Sequence, residues 1–278
     1  MNGAGGQKSA QVDLDPLLRG KELPDEVRKR AEALVKRLTT PVRVTVIGPR
    51  STGKSTVVNL LLGGKLLDPS YSLPTTQFSY GGDVSSHYTL ADGSISEVVG
   101  FNVAKLATKP AVFVDVKLPL AALKKISVLE VVQGEGPDTL ARALSWASPR
   151  SDIIIWCSER FTSAEQKVWS TATDLMKDHA YLLLTKIDKH PDSRILKSAL
   201  NALHKNFSDD FKHILPISAM NAVNTRKRDG SIDKQGLAKS GGQALIKALM
   251  RDLETSRQAA IDQAEMILSD YPGSEPAA

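Results

Sequence analysis

The sequence predicts an α/β protein, a three-layer sandwich whose mostly parallel sheet carries one antiparallel edge pair, with a helix added at each end. Three observations carry that expectation. Apolar runs of strand length alternate with stretches of helical periodicity from Asp152 onward. A glycine-bounded turn separates the β-like run Val42–Ile47 from an amphipathic run, Thr56 to Leu62. A turn signal, Ala91-Asp92-Gly93, sits between two short β-branched runs, which is the pattern of a hairpin. At 278 residues and 41% hydrophobic, the chain is long enough for one large domain with helical additions.

Taken in order, residues 1–20 are polar, Gly-rich and without periodicity, and a disordered tail is expected there. Residues 21–40 hold an amphipathic helix, with Val27, Ala31, Leu34, Val35 and Leu38 on one face. The main domain is expected over 41–240. It opens with the strand 42–47 and a helix that Gly63-Gly64 ends; the stretch from Asp68 to Gln77 reads as irregular. Strands are expected at 86–90, 95–99, 111–116 and 126–132. The short connection over 118–125 favours pairing the last two antiparallel over a βαβ crossover. A strand over 152–157 follows, then the capping box Thr162-Ser163-Ala164-Glu165, opening a helix to about Lys177. A strand at 180–184, a helix at 193–206 and a strand at 213–217 continue the alternation. After a basic, irregular stretch from Asn224 to Lys239, the terminal helix falls within 241–270 and a second tail over 271–278.

Composition narrows the function. The 36 Lys+Arg against 31 Asp+Glu leave +5, which suits phosphate ligands and is too small an excess to call for nucleic acid. A single cysteine, Cys157, excludes an internal disulfide, fits a reducing compartment, and reads as a buried, inert thiol within an apolar run. No run approaches the roughly 20 apolar residues of a membrane span, and the first residues do not read as a signal peptide. A cytoplasmic protein is expected.

The segment Gly48-Pro49-Arg50-Ser51-Thr52-Gly53-Lys54-Ser55 matches G-x-x-x-x-G-K-S between a strand and a helix, the setting of a P-loop. Its glycines let backbone N–H groups point inward at a phosphate, and the N-terminus of the next helix, from Thr56, adds partial positive charge. Lys54 is placed for the β- and γ-phosphates and Ser55 for Mg²⁺. Lys54 is expected to serve phosphates and to contribute nothing to the core. Thr185-Lys186-Ile187-Asp188 follows an apolar strand and so falls at the carboxyl edge of the sheet. Guanine presents two neighbouring donors, N1–H and N2–H₂, that one carboxylate, Asp188, accepts together. Lys186 can lie over the ring, Thr185 can tie this loop to the P-loop, and Ser218-Ala219 can offer a backbone N–H to the guanine O6. The expected ligands are GTP or GDP with Mg²⁺.

With these motifs in place, the chain resembles the dynamin superfamily of GTPases, particularly its small bacterial members, from about Val42 to Leu253. The run from Asn59 to Leu67 followed by Pro74-Thr75-Thr76 looks like that family's P-loop helix and switch I, and Leu118-Pro119-Leu120 like its approach to switch II. The resemblance implies Thr76, or Thr75 one residue away, as the switch I threonine that ligates Mg²⁺. It implies Glu130 as a metal group where the family has aspartate. It also implies Ser51 and Arg50 as the P-loop residues that assist hydrolysis, and a nucleotide-dependent homodimer. One departure stands out. The family's D-x-P-G becomes Glu130-Val131-Val132-Gln133-Gly134, with the glycine one residue late and Gln133 expected to point elsewhere. Slow turnover follows, and a pseudo-GTPase scaffold is the alternative; a ribosome-assembly GTPase is a second. Only 60 residues follow Ser218, too few for the family's long stalk, so a peripheral membrane or protein partner is the most that is implied.

Overall fold

The structure is a computed structural model and describes residues 14, 17–19, 23–68, 70–189, 192–227 and 229–271. The chain divides into two compact units, one made of residues 42–247 and the other of the segments on either side of it.

The larger unit is built on a nine-stranded sheet, whose strands in spatial order are β4 (Ile95–Val99), β3 (Ser85–Leu90), β5 (Ala111–Leu118), β2 (Thr75–Tyr80), β6 (Ile126–Glu130), β1 (Val42–Ile47), β7 (Ile153–Ser158), β8 (Ala180–Thr185) and β9 (His213–Ile217). Strands β1 (Val42–Ile47), β6 (Ile126–Glu130), β7 (Ile153–Ser158), β8 (Ala180–Thr185) and β9 (His213–Ile217) run parallel to one another. Every residue of β6, β7 and β8 is buried, as expected of central strands covered on both faces. This is why β7 and β8 read as nearly unbroken apolar runs, while β6 carries the buried polar residues Ser127 and Glu130. Helix α1 (Asp25–Thr39), of the second unit, precedes β1; α2 (Lys54–Leu62) follows β1, a short α3 (Val103–Ala107) precedes β5, α4 (Pro137–Ala147) follows β6, α5 (Ser163–Trp169) and α6 (Asp174–Lys177) follow β7, α7 (Ser193–Phe207) follows β8, and α8 (Ala219–Asn224) and α9 (Lys234–Lys239) follow β9. One core layer joins Trp156, Phe161, Trp169 and Phe211, the last two stacked at 4.5 Å.

The edge hairpin falls where expected, as β3 (Ser85–Leu90) and β4 (Ile95–Val99), paired antiparallel. The neighbouring region differs from expectation. Strand β5 (Ala111–Leu118) and β6 run in opposite directions but do not pair, because β2 (Thr75–Tyr80) lies between them, parallel to β5 and antiparallel to β6. The stretch read as irregular up to Gln77 therefore contains the start of a strand. Only Thr76 and Phe78 of β2 are buried, and four of its residues are polar, so it carries little apolar signal of its own. Its place is set by partners distant in sequence. Helix α4 was also not expected; Gly136 at φ 94° turns the chain, Pro137 occupies the first helical turn, and Leu140, Leu144 and Ala147 are buried at helical spacing. The helix expected from 163 to 177 is two helices. The capping box opens α5 as read, but Thr173 caps a new start by accepting from the Met176 N–H. The basic stretch over 224–239 is less irregular than read, since α9 forms within it on the Asp233 cap.

The second unit packs α1 against the later part of α10 (Gly242–Asp270), whose residues from Ala248 on belong to this unit. Ala31, Leu34 and Leu38 meet Ala260, Ile261, Ala264 and Ile267. Leu14 and Leu17 join the same core with helical backbone, which corrects the expectation of disorder at those positions; the remainder of 1–20, and 272–278, lie outside the described residues. No helix among the described residues is long and apolar enough to cross a membrane.

Candidate functional site

The loop 48–55 leaves β1 and enters α2 through two special glycines. A Cβ on Gly48, at φ +145°, would lie 2.1 Å from the Cys157 carbonyl oxygen of β7, so only glycine lets the strands approach this closely. Gly53 is left-handed at φ 90° and caps α2, whose first N–H groups have no side-chain cap. Ser51 also holds a positive φ, 60°, without being glycine. Such strain is tolerated where the surrounding structure over-determines the backbone. Lys54 is 7% exposed; its Nζ donates to Gly48 O at 2.9 Å and to Pro49 O at 2.7 Å. Burial holds its pKa below the ordinary value. The lysine is thus buried and holds two loop carbonyls, contrary to the expectation that it contributes nothing to the interior. Thr52 is buried and donates to Pro49 O, while Thr56 is half-buried on α2.

Three groups assigned to metal lie together. Ser55 Oγ donates to Glu130 Oε1 at 2.6 Å. Thr76 is the cross-strand partner of Glu130 and is 1% exposed, although its hydroxyl donates to Pro74 O at 2.8 Å. Thr75 instead brackets Val132, donating to its carbonyl and accepting from its N–H. Burial pushes the Glu130 carboxyl above its ordinary range, with the Ser55 hydroxyl and Lys54 opposing that shift. Burial likewise pushes the Cys157 thiol up to about 12, in keeping with an inert thiol. Arg50, assigned to the phosphates, is exposed and pairs with Glu135 at 3.5 Å. Gln133 does not point elsewhere. Its Nε2 donates to Gly48 O at 2.7 Å, so its side chain reaches the loop.

On the other side of the sheet edge, Thr185 is buried and donates to Ser158 O at 3.2 Å; it ties its loop to the end of β7 and not to the P-loop. Lys186, at φ 56°, ion-pairs through its ammonium with Glu159. Asp188 is exposed in the turn Ile187–Lys189. The Ser218 N–H is committed to Ser240 O at 2.9 Å, which leaves Ala219, the first residue of α8, as the free backbone donor of that pair. Asp188 and Ser218 line one open cavity of about 560 Å³, together with Asn221, Asn224, Lys227 and Lys239. Sequence reasoning named Gln133 but sent its side chain elsewhere, and it missed the roles of Glu159 and Asn59. The Asn59 side chain accepts from the N–H groups of Leu66 and Leu67 and donates to Leu67 O, fixing the chain after α2. A polar residue inside an apolar helical run was the available signal for Asn59; Glu159 carried none.

A central parallel sheet with a glycine-bounded loop between its first strand and the following helix defines a P-loop α/β protein. The sequence matches no protein-family model and no curated protein. Among solved structures it is similar to two of an oligomerised bacterial dynamin pair, described as providing a mechanism for the long-range sensing and tethering of membranes. Identity is 17% in both; 96% and 98% of this chain is covered, with TM-scores of 0.68 and 0.67. This chain spans 55% and 56% of the length of those proteins. Era in complex with MgGDPNP and a 16S ribosomal RNA segment aligns at 14% identity over 77% of this chain and 57% of its own, with a TM-score of 0.42. The chain shares its fold with the matched part of the two bacterial dynamin structures.

Proposed function

We propose that the protein binds GTP and GDP with Mg²⁺ and hydrolyses GTP slowly, with its switch loops changing state between the two nucleotides. The single observation that carries this reading is the pair of sites at one sheet edge. A positive-φ loop encloses a buried lysine, and a carboxylate-lined cavity with a free backbone N–H beside it lies at the end of β8 and β9. In open α/β sheets this edge is where ligands bind.

The residues present fit both groups. The uncapped α2 N-terminus and the Lys54 ammonium are donors suited to phosphate oxygens, and that ammonium now rests on carbonyls that have other donors as well. Ser55 and Glu130 offer hard oxygen atoms of the kind Mg²⁺ takes, and a cation beside Glu130 would favour its carboxylate form. When bound, Mg²⁺ supplies charge neutralisation across the β- and γ-phosphates. Thr76, cross-strand from Glu130, is the switch I residue closest to that pair in register. Asp188 accepts from the guanine N1–H and N2–H₂, Ala219 donates to O6, and Lys186 is held beside the base site by Glu159. Arg50 and Ser51 are assigned to the phosphate side; Arg50 must leave Glu135 to act there.

Changing Asp188→Asn is expected to lower guanine affinity and to admit xanthine nucleotides, whose added carbonyl pairs with the new amide. Unchanged GDP affinity, with no gain for XDP, would remove Asp188 from base recognition. A second reading, a nucleotide-binding scaffold that does not turn over, is favoured by Glu130 being tied to Ser55 and by Gln133 standing where the switch II glycine belongs. A single-turnover measurement with GTP and Mg²⁺ separates the two. A nucleotide-dependent homodimer and a peripheral membrane partner extend the reading. They are supported by the likeness to an oligomerised, membrane-tethering dynamin pair, and liposome co-sedimentation with and without GTP tests the membrane contact.

A further inference from the structure

Gln133 occupies a position for which the switch pattern provides no side chain. Three residues after Glu130 the pattern has glycine; here a glutamine stands, and its amide extends to the phosphate loop. The contact is not a loose surface one. Gly48, whose carbonyl receives the amide at 2.7 Å, is wedged against β7, where a Cβ would meet Cys157 O at 2.1 Å. The acceptor is therefore fixed. The same oxygen takes a second hydrogen bond, from Lys54 Nζ at 2.9 Å. Immediately before Gln133, Val132 is held at both its N–H and its carbonyl by the Thr75 hydroxyl. Residues 132–133 are thus pinned on one side to the start of β2 and on the other to the phosphate loop. The remaining amide oxygen of Gln133, Oε1, is buried and without a hydrogen-bond partner. A buried acceptor left unpaired is destabilising, so a donor that arrives later is favoured there.

We propose that Gln133 is a positioning residue that couples the phosphate loop to the switch II loop. When the Lys54 ammonium turns to a phosphate, Gly48 O loses one donor, and Gln133 keeps that carbonyl partnered. The loop over 131–136 thereby stays docked on the phosphate loop in the nucleotide-bound protein. Oε1 remains as a buried acceptor for a donor such as a water molecule. This rests on the reading of 48–55 as a phosphate cradle.

The test is hydrogen exchange of the full chain, read by mass spectrometry over 131–136, for wild type, Gln133→Met and Gln133→Ala. Each is measured nucleotide-free, with GDP, and with a non-hydrolysable GTP analogue. Methionine keeps the bulk and removes the donor, so it separates packing from the hydrogen bond. Exchange over 131–136 is expected to be about tenfold faster in both variants, the scale of one lost hydrogen bond. The difference should persist with the analogue bound, while exchange over β7 stays as in wild type. Equal exchange in wild type and Gln133→Met, free or bound to the analogue, overturns the proposal. Faster exchange over β7 as well would mean that the variant is globally loosened, and would overturn a specific coupling role. Failure of wild type to bind either nucleotide would sink the proposed function instead, and the nucleotide-free comparison would still decide whether the tie exists.

Discussion

Replacing Lys54 by alanine should separate ligand binding from folding more cleanly than a buried, doubly bonded lysine suggests. Its two acceptors each have another donor: Gly48 O keeps Gln133 Nε2 at 2.7 Å, and Pro49 O keeps the Thr52 hydroxyl at 2.9 Å. Neither carbonyl is orphaned, so the large penalty for an unpaired buried polar group does not arise. What is lost is two hydrogen bonds, each worth about 0.5–1.5 kcal/mol net. Against that loss, the variant no longer carries an ammonium whose desolvation is plain in its lowered pKa. The two effects oppose, and the urea unfolding midpoint should correspond to a stability change within about 1.5 kcal/mol. Affinity for a fluorescent GDP derivative should fall about tenfold to a hundredfold, the range for losing a charged hydrogen bond. The pH dependence has a definite sign. The folded-state pKa lies below the ordinary 10.5, so between the two values the unfolded chain binds more protons and wild-type stability rises with pH. The variant should lack that rise. Unchanged affinity in a folded Lys54→Ala protein would show that the loop is not a phosphate cradle. A stability loss well above about 3 kcal/mol would show that the remaining donors do not satisfy the two carbonyls.

Two further outcomes follow from the same residues. Gly48→Ala forces a Cβ to 2.1 Å from Cys157 O at a positive φ and should cost about 2–6 kcal/mol in urea unfolding, whereas Gly64→Ala, with nothing within 4 Å, should cost under about 1 kcal/mol; equal effects would contradict the packing account. Glu130 titrates above its ordinary 4.5, so between 4.5 and its folded value the folded protein holds a proton that the unfolded chain has lost. Wild-type stability should therefore decline as pH rises through that window, and Glu130→Gln, which keeps an acceptor for Ser55, should flatten the decline. A wild-type-minus-variant difference that is constant from pH 4 to 8 would refute this.

The parts of the fold that were legible in the sequence are those whose signal is local. Strands β7 and β8 are buried on both faces and show it in consecutive residues, and the capping box at Thr162 is written in four positions. The loop over 48–55 is contiguous, so its glycines and lysine could be placed before any tertiary contact was known. Strand β2 was not legible, because its half-polar residues become a strand only between β5 and β6. The partners of site residues were harder still. Thr185 finds Ser158 across one strand, the Ser218 N–H finds Ser240, and Gln133 reaches Gly48. None of these distances along the chain leaves a pattern in the residues themselves. The altered switch II was visible as a departure, but nothing local says that its glutamine reaches Gly48 O, 85 positions away in sequence.

The most direct test of the central claim is calorimetric titration of the wild-type chain with GDP and, separately, with ADP, both with Mg²⁺. In the proposed reading Asp188 and the Ala219 N–H recognise guanine, and a site built around such hydrogen bonds rejects an analogue lacking them by on the order of 10⁴-fold. GDP should bind at one site per chain, and ADP should show no measurable heat at the same concentrations. Equal binding of the two, or binding of neither, would contradict guanine-nucleotide recognition by this protein.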